Sequence, residues 1–280
     1  VIRPRVSVIT NISFDHQAFL GSRLKDIARE KAGIIKRGVD LVTAATQPSV
    51  LGVFTKTCED KKAPFWRVGK NIRYRAAGNK ITYYGSKRRL KDLELGLLGT
   101  YQHRNAALAL SVIDLLERRG LRVSEEHIRE GLKSAYWPGR LQVVSREPLL
   151  VLDGAHNPGA IRSLSSSIRG GFRYKRLILV LGVMADKDVR NILRGIVPIA
   201  DYVLFTRPEY YRAAEPETLM QEASSLGKPG EIQPTLAKAL RKARNMADRE
   251  DLILVTGSLF TVGETMAILD PERYKPDSIR

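Results

Sequence analysis

The chain has 280 residues, 43% of them hydrophobic, a formal net charge of +17 and a single cysteine. That length suits one large or two ordinary domains, and the apolar share is enough for packed cores. One cysteine, Cys58, excludes an internal disulfide framework and fits a reducing, cytoplasmic compartment, and no run approaches the ~18 apolar residues that span a bilayer.

The charge is uneven. Residues 1–139 carry 26 Lys+Arg against 13 Asp+Glu, a net +13; residues 140–280 carry 21 against 17, a net +4. The densest run, Lys87-Arg88-Arg89-Leu90-Lys91, reads as a solvated turn between strands, with contact to a polyanionic substrate or to nucleic acid as the alternatives. No helix-turn-helix, zinc-knuckle or aromatic-platform pattern accompanies it. Neither nucleic acid nor membrane is expected as a partner; small-molecule substrates and a monomer are. The opening Val1-Ile2-Arg3-Pro4-Arg5 resembles neither a signal peptide nor an initiator-methionine start, and reads like the middle of a longer protein.

In chain order, Val6–Thr10 reads as a buried strand, 21–32 as a helix closing on Gly33, 40–45 as a strand and 48–61 as a helix. Cys58 in that helix suits a structural thiol better than a nucleophile. Short strands are expected at 65–68, 72–76, 80–84 and 93–95, forming a small antiparallel appendage. A helix over 103–119 ends at Gly120, and another opens after the cap Ser124. Tyr136-Trp137-Pro138-Gly139 breaks the chain and marks a domain boundary. Beyond it strands at 141–145, 149–152, 177–181, 202–205 and 252–255 alternate with helices near 158–169, 188–197, 215–225, 235–248 and 261–269. That alternation predicts a mainly parallel, Rossmann-like sheet, and the missing Gly-x-Gly-x-x-Gly fingerprint disfavours a dinucleotide dehydrogenase.

Several polar clusters can carry chemistry. Leu149–Asp153 is an apolar strand that ends in an Asp, followed by Gly154-Ala155-His156-Asn157-Pro158. Asn157 suits an N-cap and Pro158 the first helical position, so Asp153 and His156 stand at a strand's carboxyl end beside a helix N-terminus, a place that favours an anion. Thr10–His16 is a polar strand end in which Asp15 or His16 either meets a hard cation or caps the strand. Lys31 either complements a helix C-terminus or is a partly buried lysine whose neutral amine reacts. Gln102 and Asn105, three apart, either read a base edge or cap a helix. Arg140 either swings onto a phosphate or makes a surface ion pair. Gly182–Asp188 and Thr256–Phe260 are further polar loops after strands at the same edge.

Taken together, TNISFDH (10–16), AREKAGIIKRG (28–38), GTYQHRNAALAL (99–110), PGRLQVV (138–144), LDGAHNPGA (152–160), LGVMADKD (181–188) and TGSLFTVGE (256–264) resemble the folylpolyglutamate synthase/dihydrofolate synthase branch of the Mur ligase superfamily. The resemblance implies an α/β protein: the later part of a Mur-ligase-type P-loop ATPase domain over 1–137, then a Rossmann-like C-terminal glutamate ligase domain over 138–280. It implies an ATP-dependent amide ligase that phosphorylates a carboxylate of dihydropteroate or of a folate's terminal glutamate, then joins L-glutamate to it. By likeness His16 ligates Mg2+, and Lys31 is the carbamylated lysine beside that metal, with K+ as a possible companion ion. Asn105, with Gln102, contacts adenine, Arg140 the ATP phosphates and Asp153 the nucleotide; His156 and Ser258 lie near the incoming glutamate. One departure stands out: no Gly-Lys-Ser/Thr loop occurs in these 280 residues, so the chain reads as the C-terminal portion of a ligase, inactive by itself. The alternatives are another Mur-type ligase, for peptidoglycan precursors or cyanophycin, and a non-catalytic nucleotide- or glutamate-binding module.

Overall fold

A computed structural model describes residues 2–13, 23–228 and 230–274. Asp15 and the expected metal ligand His16 lie outside the described residues. The chain forms two compact units, Val1–Tyr136 and Trp137–Arg280.

In the first unit β1 (Val6–Ile9), β2 (Asp40–Thr43) and β3 (Phe65–Arg67) form a parallel sheet in that order. Helices α1 (Leu24–Ala32) and α2 (Pro48–Asp60) bury Ile27, Ala28, Phe54 and Cys58 with Ile9 and Leu41. Leu24, Ile27 and Ala28 of α1 and Val50, Phe54 and Cys58 of α2 recur at three- and four-residue spacing, which lines one face of each helix. A second, antiparallel sheet follows: β4 (Arg73–Ala77), β5 (Lys80–Tyr84) and β6 (Arg89–Glu94), with β5 in the centre. Along β5 Ile81 and Tyr83 point inward, with Leu90 and Leu93 of β6, onto Ala107 and Leu110 of α3 (Thr100–Glu117) and Ile128 of α4 (Glu125–Lys133). The period of two puts the remaining β5 residues on the outer face. Ser124 accepts from His127 N and caps α4, as its position suggests.

The basic run at 87–91 is solvated at Lys87, Arg89 and Lys91, but Arg88 is not part of that surface. Arg89, Leu90 and Lys91 begin β6, and Arg88 folds inward, pairing with Glu117 and reaching Asp114 Oδ1 at 3.2 Å. Tyr83 Oη donates to Asp114 Oδ2 at 3.0 Å. Burial pushes the Asp114 carboxyl up, and the Tyr83 hydroxyl and Arg88 charge oppose that shift. The inward turn of Arg88 escaped the sequence because its countercharges sit on α3, far along the chain.

The second unit is a six-stranded sheet in the order β11-β10-β9-β12-β8-β7. Its strands are β7 (Gln142–Arg146), β8 (Leu149–Asp153), β9 (Leu177–Leu181), β10 (Tyr202–Phe205), β11 (Glu231–Ile232) and β12 (Leu252–Thr256). All are parallel except β7, which runs antiparallel to β8 at one edge. Strands β9 and β12 are buried along their whole length, which explains their unbroken Leu/Ile/Val runs. Helices α5 (Pro158–Gly171), α6 (Val189–Ile196), α7 (Pro216–Ser225), α8 (Leu236–Met246) and α9 (Leu259–Leu269) connect the strands. From β8 the chain passes over the place of β12 to β9, moves outward to β11, then returns to fill the gap. The strand order therefore reverses around β8, β12 and β9, and their carboxyl ends form the crevice typical of ligand sites in open sheets.

Some element boundaries differ from those read in the sequence. Helix α3 begins at Thr100 rather than 103, and α9 at Leu259 rather than 261. The two-residue β11 carries no sequence signal of its own. Strand β7 begins at Gln142, because Leu141 holds a left-handed backbone with φ 43°. Among the described residues no helix is long and apolar enough to cross a membrane.

Cys58 is 3% exposed, and burial, opposed by the charge of Lys61, pushes its thiol up to about 11. Native protein should therefore resist iodoacetamide at pH 8 and react once unfolded, which mass spectrometry reads directly. Above pH ~8.5 the unfolded thiol ionises while the folded one keeps its proton, so this group's contribution to stability is lost as pH rises toward 11. Stoichiometric alkylation of the native chain within minutes would contradict this.

Candidate active site

The carboxyl edge of the second unit's sheet is built around Asp153, 3% exposed at the end of β8. Its Oδ2 accepts from Leu141 N at 2.9 Å and its Oδ1 from Ala155 N at 2.9 Å. One carboxylate thus fixes two loops, the Trp137–Leu141 turn that leads into β7 and the 153–157 turn that leads into α5. Gly154 N donates to Gly139 O at 2.8 Å and ties the same loops again. Leu141 is fully buried with φ 43°, a conformation that costs a β-carbon residue energy and persists only when its surroundings fix it. Gly139 has φ 69°, and a Cβ there would stand 2.8 Å from Val262 Cγ1, so a larger residue would push α9 away. Burial raises the Asp153 carboxyl, opposed in turn by its two backbone hydrogen bonds, Arg140 and His156. Arg140 is half-buried, with its charge close enough to act on that carboxylate.

Three helices start along this edge, each capped by a side chain. Asn157 accepts from Ala160 N on α5, Asp188 from Asn191 N on α6, and Ser258 from Thr261 N on α9. The expected cap at Asn157 and the proline at the first position of α5 are both present. A cap satisfies one first-turn N–H; the others and the helix dipole favour an anion in front. The half-buried His156 turns its Nδ1 to Gly154 O at 2.9 Å, so Nδ1 carries the proton and a neutral ring has Nε2 as its basic nitrogen.

Ser258 is 1% exposed and sits deeper than the sequence suggests. Thr261 Oγ1 donates to Gly182 O at 2.8 Å, so the 2.8 Å contact between the two hydroxyls is donated by Ser258. Its proton is therefore spent inside the protein, where it joins the loops after β9 and β12. Gly257 completes that junction: with φ 110°, its added Cβ would lie 2.5 Å from Gly182 O. The sequence reading missed Thr261, whose hydroxyl is the link between those loops. It also missed Thr206 at the end of β10, whose Oγ1 is buried without a partner among the described residues. A threonine just past an apolar strand was the available signal, and it is too common to single out.

In the first unit Asn105 Nδ2 donates to Gln102 Oε1 at 2.9 Å near the start of α3. Gln102 is buried and Asn105 exposed. Neither caps the helix, which follows Gly99 with no side-chain cap, so this is an amide pair rather than a capping network. Lys31 is exposed in the last turn of α1, where its charge complements the helix C-terminus; the partly buried lysine is not found. Among the described residues no group of three or more His, Cys, Asp or Glu is arranged to hold a metal.

Comparison with known proteins gives two family matches. Residues 1–113 match the Mur ligase middle domain, and residues 139–259 match the Mur ligase, glutamate ligase domain. The dihydrofolate synthase/folylpolyglutamate synthase of Bacillus subtilis is 31% identical over 270 residues, covering 94% of this chain and 62% of the relative. The structure of Escherichia coli FolC in complex with DHPP and ADP superposes with a TM-score of 0.86 at 31% identity, covering 96% of this chain and 62% of that one. That of the Yersinia pestis bifunctional folylpolyglutamate synthase/dihydrofolate synthase, complexed with AMPPNP and a Mn ion, gives 0.81 at 30% identity, covering 95% and 61%. The chain spans about three fifths of the length of these three relatives.

Asp153→Ala leaves two buried backbone N–H groups without an acceptor, each worth roughly 1–3 kcal/mol. Urea unfolding should show a loss of about 2 kcal/mol or more. A loss below about 0.5 kcal/mol, the usual range of a surface substitution, would contradict the clamp.

Proposed function

The chain belongs to the Mur ligases, in the group that holds the dihydrofolate and folylpolyglutamate synthases, and from that premise we propose that it is the nucleotide- and glutamate-handling part of an ATP-dependent amide ligase of folate metabolism. The observation that carries this reading is the edge organised by Asp153, where three capped helix N-termini and Arg140 gather positive potential and His156 adds a nitrogen base. The matched description of residues 139–259 as a glutamate ligase domain supports glutamate as the amine substrate. The reducing cytoplasm is the compartment in keeping with the buried thiol of Cys58.

The chemistry has two steps. A carboxylate oxygen of dihydropteroate, or of a folate's terminal glutamate, attacks the γ-phosphorus of ATP, and ADP leaves. The amine of L-glutamate then attacks the acyl carbon, inorganic phosphate leaves, and the amine's surplus proton passes to His156 Nε2. Arg140 binds phosphate oxygens through its planar fork. Asp153 serves the nucleotide by holding the turn that carries Arg140. Gln102 and Asn105 read the adenine edge with the amide groups that their mutual bond leaves over. Ser258 acts through its cap, which fixes the α9 N-terminus that faces the glutamate's carboxylates.

Mg2+, with K+ beside it, would neutralise triphosphate charge. His16 and a carbamylated Lys31 would hold it, the carbamate forming as the exposed Lys31 amine adds to CO2 and loses a proton. The described residues do not by themselves make a metal site, and none of the steps above depends on one.

Calorimetric titration tests the reading. The chain should bind L-glutamate saturably and D-glutamate at least tenfold more weakly, and His156→Ala should weaken L-glutamate at least tenfold. ADP should bind, with a similar loss in Arg140→Ala. Equal affinity for the two enantiomers, or no binding of either glutamate or ADP, would overturn it.

A further inference from the structure

The outer face of the β4–β6 sheet is strongly basic. In register, Arg73 of β4 stands opposite Tyr84 of β5, which stands opposite Arg89 of β6. This row crosses all three strands and is directed away from the core, since the neighbouring row, Tyr74–Tyr83–Leu90, packs inward. Arg75 lies two residues along β4 on the outer face, and Lys70 comes from the turn before β4. Together they line a cavity of about 610 Å³ with four exposed cations and no carboxylate in its wall. Two acidic residues lie on this sheet, both outside the cavity wall: Asp92 of β6, whose N donates to Thr82 Oγ1 beside Arg75, and Glu94, which pairs across from Lys80 at the other end of β5. Four residues of strand separate the two ends, about 13 Å.

His103 Nε2 meets Gly78 O, at the turn between β4 and β5, so the start of α3 lies at the opposite end of the sheet from Arg73. The basic cavity is therefore set apart from Gln102 and Asn105.

Its shape selects among anions. Arg73 and Arg75 are about 6.7 Å apart along one strand, and Arg73 and Arg89, two strands apart, about 9.6 Å. Forks at those spacings suit a chain with several separate negative groups better than one compact anion, which a single fork can hold. Nucleic acid would need exposed aromatic faces for its bases. Here the Arg89 guanidinium covers the Tyr84 ring at 4.9 Å, and Tyr74, which also lines the cavity, is half-buried against the core. We propose that the Arg73–Tyr84–Arg89 face is a binding site for a linear oligocarboxylate, the γ-linked polyglutamyl tail of a folate. The identity of that ligand rests on the folate-ligase reading; the site itself does not.

The test is titration of the full chain with oligo-γ-L-glutamates of one, three and five residues, with tripolyphosphate and with a single-stranded oligonucleotide as comparison arms. Affinity should rise at least tenfold from one to five glutamates and exceed that of the other two anions. Arg73→Ser/Arg75→Ser/Arg89→Ser should lose at least tenfold for the pentamer. A control removing the same number of charges from α8, Lys238→Ser/Arg241→Ser/Lys242→Ser, should change it less than twofold. Equal losses in both variants, no rise with chain length, or tighter binding of tripolyphosphate or oligonucleotide would overturn the proposal. ADP titration of the same variants separates the two ideas. Retained ADP affinity with lost pentamer affinity supports the second site, whereas a chain that binds pentamer but never ADP sinks the ligase reading alone.

Discussion

A single buried carboxylate sets the geometry of the second unit's functional edge. Asp153 sits where an apolar strand runs out, and it accepts from two backbone N–H groups on different loops. Burial pushes its carboxyl up, and the two N–H donors, Arg140 and His156 oppose that shift. The clamp holds Leu141 in a left-handed conformation and so orients Arg140, one residue before it. On the other side it holds the turn whose Gly154 carbonyl fixes His156. Residues that are distant in sequence thereby become parts of one edge.

Hydroxyl groups extend the arrangement. Ser258 and Thr261 link the loops after β9 and β12, and Gly257 permits the close backbone approach that they need. The first unit uses the same device with full charges: Tyr83 and Arg88 converge on Asp114, so the antiparallel sheet is locked to α3. With Arg88 turned inward, Arg73, Arg75 and Arg89 are the arginines left on the outer side of the sheet. An inward network and an outward patch thus come from one basic stretch.

Much of this was legible in the sequence because it is local. Apolar runs marked β8, β9 and β12, and caps at Ser124 and Asn157 marked two helix starts correctly. The parallel sheet followed from strand–helix alternation. What escaped was long-range. Nothing near Arg88 announces Asp114, and nothing near Leu141 announces that an Asp further on will hold it at positive φ. The family likeness set Ser258 near the glutamate, and what no local pattern showed is that its hydroxyl proton goes to Thr261. The adjacent amides Gln102 and Asn105 permitted two readings, and only their mutual hydrogen bond separates a pair from a cap.

The central claim is that the Asp153 carboxylate holds both loops whenever the protein is folded. Native-state hydrogen exchange at the Leu141 and Ala155 amides measures this residue by residue. The account predicts that both exchange only through opening of the whole second unit, with the protection of β9 and β12 core amides. Exchange of either amide at the rate of exposed loop amides, while the strands stay protected, would contradict it.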